Sequence, residues 1–371
     1  MIINDVIQLF ETLAPTYYAE DFDNVGLLVG DKTAKVTGIL VTHDTLETVV
    51  DEAIREQCNL IVSFHPIIFS GLKKLTGNSY VERVVMKAIQ HNIGIFAIHT
   101  AYDNHWNGVN AIICNKLNLQ NRTILVPKKG TIKKLVTFVP KAEAETLRNA
   151  LFEAGAGRIG NYENCSFNVE GYGTFNGNEE SNPTVGQRGE THTEEEVQIG
   201  ITFAAHLESK ILSTLFKNHK YEEVAYEVTT LENKNQKIGL GMIGELEEPM
   251  LAIDFLNHLK KTIPTDCIRH SQLLEKKVKK VAVLGGSGSF AIGHAKRAGA
   301  DVFVTADLKY HDFYQAENTL ILADIGHYES EQFTKNEMLA FLTKKISNFA
   351  PALEKPKVVL SKENTNPIKY L

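Results

Sequence analysis

The sequence predicts an α/β protein in two parts: a body rich in parallel strands, split along the chain into two segments, with a smaller β-α-β-β-α-β module set between them. Three observations carry this. Short apolar runs alternate with helical-period segments through the first third of the chain, that texture changes near Leu125, and it resumes after the hydrophilic stretch Glu232-Asn233-Lys234-Asn235-Gln236-Lys237.

In the first segment, Asn4 stands where it can cap a helix carrying Val6, Ile7, Leu9, Phe10 and Leu13, with Pro15 beyond its end. A polar turn then runs into a short strand ending at Gly30, and further strands are expected at 36–42, 59–64 and 93–98. Helices are expected at 46–57, 80–91 and 109–117. Strands and helices alternating in this rhythm indicate a parallel sheet covered on both faces.

The middle of the chain reads as strand 134–139, helix 143–153, strand 165–169, strand 197–203, helix 207–216 and strand 224–229. That order, with a long central hairpin, describes a ferredoxin-like module. Gly171, Gly173, Gly177, Pro183, Gly186 and Gly189 punctuate a polar loop, and Glu190, Glu194, Glu195 and Glu196 with His192 read as a solvated part of it. The domains expected are a discontinuous body, 1–125 with 236–371, and an insertion, 126–235.

After the insertion, strands are expected at 239–244, 278–284, 301–305 and 319–323, with helices at 249–260, after the turn Gly285-Gly286-Ser287-Gly288-Ser289, from Asp307 onward, and at 328–346.

A chain of 371 residues suggests two or three domains, and 43% hydrophobic with 23% charged residues is an ordinary globular composition. A net charge of −6 with no basic stripe argues against nucleic-acid binding. Cys58, Cys114, Cys165 and Cys267 form no Cys-x-x-Cys pair, so neither a thiolate zinc site nor a disulfide framework is expected. With neither a signal-like start nor an apolar run of about 20 residues, the expected location is cytoplasmic, away from membranes.

In parallel α/β sheets, ligands gather beyond the carboxyl ends of the strands. His65, Asp103 and the pair His327/Glu331 lie at or just past such ends, and His327 and Glu331 share one helix face. Two imidazoles and two carboxylates suit zinc, iron, manganese or nickel better than calcium, and bridging carboxylates can hold two ions. A His-x-x-x-Glu pair is also common on solvated helix faces, and a lone His65-Pro66 also suits a strand-ending turn. The glycine turn reads equally as a phosphate cradle or a plain strand-to-helix turn, and its third glycine comes too late for dinucleotide spacing. Asp307 and Asp312 suit a helix N-terminus, with substrate binding or proton transfer the sharper alternative.

Six ordered motifs resemble the Nif-three-like dinuclear metal proteins, the GTP cyclohydrolase I type 2 homologues. They are Asp23-Asn24-Val25-Gly26-Leu27, Phe64-His65-Pro66-Ile67-Ile68-Phe69, His99-Thr100-Ala101-Tyr102-Asp103, Gly285-Gly286-Ser287-Gly288, residues 305–312 and Gly326-His327-Tyr328-Glu329-Ser330-Glu331. The middle resembles the inserted domain of the longer bacterial members, similar to PII and CutA folds. The resemblance implies a divalent centre of one or two ions held by His65, Asp103, His327 and Glu331, with Glu329 on another face of the helix. It also implies a toroidal homohexamer.

Where the family usually has two adjacent histidines before the proline, this chain has Phe64 in the first place, which puts the second ion in question. His43 stands before Asp44 where the family tends to have a small residue; if the two strands are neighbours, its ring could reach the space left by Phe64. The chemistry implied is hydrolysis of a small molecule, with GTP ring opening suggested by the family name. Ser287 and Lys309 are candidates for holding phosphates and Asp44 or His311 for moving protons. Phosphoesters or other nucleotides suit the same site, and a non-catalytic metal- or ligand-sensing scaffold is the competing class.

Overall fold

Helix α1 (Ile3–Leu13) buries Ile3, Val6 and Phe10. Its first turn is held differently from the sequence expectation. Ile2, not Asn4, is the capping position: its N–H donates to Asp5 Oδ2 at 2.8 Å, while the N–H groups of Ile3 and Asn4 reach the carbonyls of Ala34 and Lys32. This is a computed structural model, and it describes residues 1–349 and 356–371.

The chain continues through β1 (Gly26–Val29), β2 (Gly38–Thr42), α2 (Glu47–Arg55), β3 (Leu60–Ser63), α3 (Tyr80–Gln90), β4 (Gly94–Ala97), α4 (His99–Asp103), α5 (Val109–Lys116) and β5 (Gln120–Pro127). Next come β6 (Ile132–Pro140), α6 (Ala144–Ala154), β7 (Phe167–Asn176), β8 (Thr191–Ala204), α7 (Glu208–Asn218) and β9 (Tyr226–Thr230). The last stretch holds β10 (Gly239–Met250), α8 (Ala252–Thr262), β11 (Arg269–His270), β12 (Val278–Ser287), α9 (Ile292–Arg297), β13 (Val302–Ala306), β14 (Ile321–Asp324), α10 (His327–Glu331), α11 (Thr334–Phe349) and β15 (Lys357–Leu360).

Two compact units result, Met1–Pro127 with Gln236–Leu371, and Lys128–Asn235. Val126 and Pro127 belong to the first because they complete β5, paired with Leu240 and Gly239 of β10.

The first unit holds two sheets where the strand rhythm suggested one. In the order β1-β4-β3-β2-β15, β4, β3, β2 and β15 run parallel and β1 closes the edge antiparallel. In the order β11-β14-β13-β12-β10-β5, only β12, β13 and β14 are parallel. Both sheets are covered on two faces, as the continuous burial of their central strands requires. The first packs Phe10 of α1 and Met338 and Leu342 of α11 on one side, and Val49 of α2 and Val84 of α3 on the other. The second packs Ile113 of α5 and Phe255 of α8 on one side and Ile292 of α9 on the other.

The helix expected over 328–346 is two helices, α10 and α11, broken at Gln332 and Phe333. Among the described residues no helix is long and apolar enough to cross a membrane.

The second unit is one antiparallel sheet, β7-β8-β6-β9, with Leu147 and Leu151 of α6 and Ile211 and Leu215 of α7 packed on Leu135, Ile199 and Ile201. Gly171 and Gly173, expected in a loop, lie within β7, and Glu194 to Glu196 lie within β8, because these strands pair from Phe167↔Gly200 to Asn176↔Thr191. Nearly all of β7 is exposed on both faces, and beyond the expected strand 165–169 its glycines break the apolar alternation that would mark it.

Candidate metal centre

The site grows from strand ends. Thr42 and Ser63 are the last paired rung of β2 and β3. One step on, Phe64 N–H donates to Thr42 O at 3.2 Å and His65 N–H to His43 O at 3.0 Å, so the ladder carries His43, Phe64 and His65 out of the sheet together. His99 N–H donates to Phe64 O at 2.9 Å, and the backbone turns there, at φ 27°, into α4, which ends on Asp103. On the other sheet, β14 ends at Asp324. Gly326, at φ 91°, permits the reversal that starts α10 and presents His327 and Glu331 one turn apart.

These residues meet. Glu331 Oε2 lies 3.3 Å from His65 Nε2, 3.3 Å from His327 Nε2 and 3.5 Å from His43 Nε2. Two ligand atoms each about 2.0–2.1 Å from a tetrahedral ion are about 3.3–3.4 Å apart, so the spacing suits atoms that share a cation.

Each imidazole at the rim is held from behind by a carboxylate. His65 Nδ1 is 2.7 Å from Asp44 Oδ1, His327 Nδ1 is 2.6 Å from Asp307 Oδ2, and His99 Nδ1 is 2.8 Å from Asp23 Oδ1. Thr365 Oγ1 in turn donates to Asp44 Oδ2 at 2.6 Å, and Thr100 donates twice to Asp23. A carboxylate at Nδ1 fixes the tautomer and ring plane and leaves Nε2 as the free donor to a metal.

The electrostatics are those of one strongly interacting cluster. Burial opposes ionisation of Glu331, yet His327 and the neighbouring imidazoles hold its carboxyl well below the usual range. Burial, and then the charge of Glu331, push Asp103 well above it. Burial favours neutral imidazoles, but Asp44 and Glu331 raise His65 to about 9, and Glu331 and Asp307 raise His327 to about 11. Glu331 Oε2, Asp103 Oδ1 and both ring nitrogens of His43 are buried without a hydrogen-bonding partner. A divalent cation that displaced the imidazole protons would satisfy these converging nitrogens and carboxylate oxygens together, so the residues fit a divalent metal.

The Duf34/NIF3 (NGG1p interacting factor 3) family model matches residues 1–367. The chain belongs to this family. Among its relatives, the GTP cyclohydrolase 1 type 2 homolog of Bacillus subtilis is 36% identical over 99% of this chain and 98% of its own. That of Halalkalibacterium halodurans is 37% identical over the same shares. Among solved structures, a Bacillus cereus protein related to NIF3 has 37% identity and a TM-score of 0.86, covering 100% of this chain and 99% of its own. A Staphylococcus aureus protein has 31% identity and a TM-score of 0.78 over the same shares.

In this NIF3-family chain, His65, Asp103, His327, Glu331 and Ser287 line one cavity of ≈ 420 Å³. Among the described residues, His65, His327 and Glu331 offer ligand atoms all within 4.8 Å of one another, as do His43, Asp44 and His65; Asp103 lines the cavity outside both groups. Asp44 joins the site through His65. Lys309 and His311 are exposed and are not among the lining residues. Glu329 turns away and accepts from Asn366 Nδ2 at 2.8 Å.

Two donors of the glycine turn are already engaged. β12 continues through Ser287, Gly285 N–H donates to Asn110 Oδ1 at 3.1 Å, and Gly286 N–H donates to Ser330 Oγ at 2.9 Å. Asp307, read from the sequence as a helix N-terminal residue, sits at φ 57° and braces His327 instead. His99 and Asp23 were within reach of the sequence reading, since both stand in the family motifs. Thr365 carries no sequence signal at all.

Proposed function

We propose that this chain is a divalent-metal-dependent hydrolase whose ion or ions are held by His65, Asp103, His327 and Glu331. The observation that carries the reading is the approach of three imidazole Nε2 atoms to one buried carboxylate oxygen, Glu331 Oε2. A divalent ion held there supplies Lewis-acid polarisation and lowers the pKa of water toward about 7. The chain's own residues do the remaining work. Asp44 and Asp307 orient His65 and His327. Exposed Phe22 and Phe69, with ring centroids 6.4 Å apart, and Phe290 line the cavity and offer faces on which a heterocyclic base stacks. Ser287 offers a hydroxyl to the polar part of the substrate.

The names of the curated relatives point to GTP: water adds at carbon 8 of the purine, the ring opens, formate leaves, and the rest closes to dihydroneopterin triphosphate. One observation favours a second substrate reading. No lysine or arginine is among the described residues lining the cavity, so a phosphoester or nucleotide with less charge than a triphosphate suits it better.

A sensing scaffold is the competing class. We read the second unit as the inserted ferredoxin-like module of PII/CutA type. Its own cavity of ≈ 850 Å³, lined in part by Tyr172, Phe175, Glu196 and Tyr221, supports a ligand-reporting role. Turnover separates the classes. Zinc-, iron- or manganese-loaded protein is assayed against GTP and a phosphoester panel with Asp103→Ala as control. Metal-dependent product above that control is expected, and its absence for every substrate rejects the hydrolase.

A further inference from the structure

We propose that His43 is a metal ligand of this chain, binding through Nε2 an ion that it shares with the Glu331 carboxylate. The proposal rests on the metal-centre reading above and adds a residue to it.

The first observation is isolation. The His43 ring is 1% exposed and neither nitrogen has a hydrogen-bonding partner. A neutral imidazole has one donor and one acceptor to satisfy, and burying both unmet is unfavourable. A histidine kept for packing alone would lodge its N–H on a carbonyl. Neither ring nitrogen of His43 bonds to one.

The second observation is aim. His43 Nε2 lies 3.5 Å from Glu331 Oε2, close to the spacing of His65 and His327 from the same oxygen. The ring plane is set by neighbours that do not compete for it: Phe64 stacks on it at 5.4 Å and 23°, and Tyr328 meets it edge-on at 5.2 Å and 83°. The third is grouping. His43, Asp44 and His65 offer ligand atoms within 4.8 Å of one another, a group that overlaps the His65–His327–Glu331 group only at His65. His43 thus stands with His65 in a group that does not include His327. Phe64, fully buried between the two histidines in sequence, supplies no donor there.

The test uses the full chain, stripped with a chelator and titrated with Zn²⁺ and with Co²⁺. Bound metal is counted by elemental analysis, and the cobalt site is followed by its d–d absorption. His43→Phe keeps an aromatic ring without a donor, and His43→Gln carries the test if the phenylalanine variant misfolds by circular dichroism. The expected result is at least tenfold weaker binding of one metal equivalent in each folded variant, with an altered cobalt spectrum. Wild-type count, affinity within twofold and an unchanged spectrum in both variants overturn the proposal, while His65→Ala still losing metal leaves the centre itself standing. A wild-type protein that binds neither ion overturns both readings.

Discussion

Gly286 passes so close to Glu331 that a Cβ on the glycine would lie 2.5 Å from Oε1 of the carboxylate and 3.3 Å from His327 Nε2. Its φ of 70° is also one that side chains with a Cβ rarely adopt. The glycine therefore serves the acid beside it. Gly286→Ala is expected to lose about 1–2 kcal/mol of stability from the backbone alone, and to weaken zinc binding at least tenfold by displacing Glu331. Urea unfolding and competition with a chromophoric chelator measure the two effects. A variant with wild-type zinc affinity would show that Glu331 is not a ligand or that the backbone yields without moving it.

Asp307 holds Nδ1 of His327 at 2.6 Å, on the side of the ring away from Glu331. Carboxylates placed behind a ligating imidazole typically contribute 10–100-fold in metal affinity. Asp307→Asn is expected to fall in that range by calorimetric titration with Zn²⁺. Thr365→Val acts one bond further back, through Asp44 to His65, and should cost less than Asp307→Asn. The reverse order would place the principal ion nearer His65 than His327.

Legibility in the sequence followed burial. The runs 38–42, 60–63 and 94–97 are buried at every position, and such apolar stretches between helices announce a parallel sheet. The extension of β7 beyond the expected strand 165–169 was hidden because it is exposed on both faces and carries the glycines of an expected loop. The division into two sheets was hidden for another reason: β15 joins β2 across more than three hundred residues of chain, and nothing local in either strand records the pairing. At the centre, strand-end histidines and carboxylates were visible as chemistry. Their bracing roles were not: Asp44 and Asp307 were legible as acids at strand ends but not as partners of His65 and His327, and Thr365 looks like any threonine in a tail.

Glu82 illustrates a helix N-terminus held by side chains outside the site. Its carboxylate accepts from Thr76 N–H and Oγ1 at 2.7 and 2.8 Å, from Asn78 N–H at 3.3 Å and from Ser79 Oγ at 3.2 Å, while Ser79 Oγ accepts from Glu82 N–H. The Thr76 N–H, foremost among these donors, lowers its pKa to about 2. A carboxyl depressed on folding stabilises above its unfolded pKa of about 4.3 and loses that contribution as pH falls toward the folded value. Glu82→Gln should therefore lower the urea midpoint at neutral pH, and the gap to wild type should narrow as pH falls from about 4 toward 3. A gap constant across that range would mean that the carboxylate charge contributes nothing.

The second unit can be tested by removal. Its apolar core runs from Leu135 to Val228 and shares no residue with the other cores, and the strands that flank it, β5 and β10, already pair Pro127 with Gly239. Antiparallel strands so paired need only a short turn, and hairpin loops of about 2–5 residues are the common solution. Replacing Lys128–Asn235 with a glycine-serine linker of roughly four residues is expected to leave a folded first unit with the same zinc stoichiometry as the full chain. The measurements are a circular dichroism melt and elemental analysis. A truncated chain that fails to fold would mean that the body depends on the second unit for stability. One that folds but loses zinc would mean that the site described on the first unit is incomplete without it.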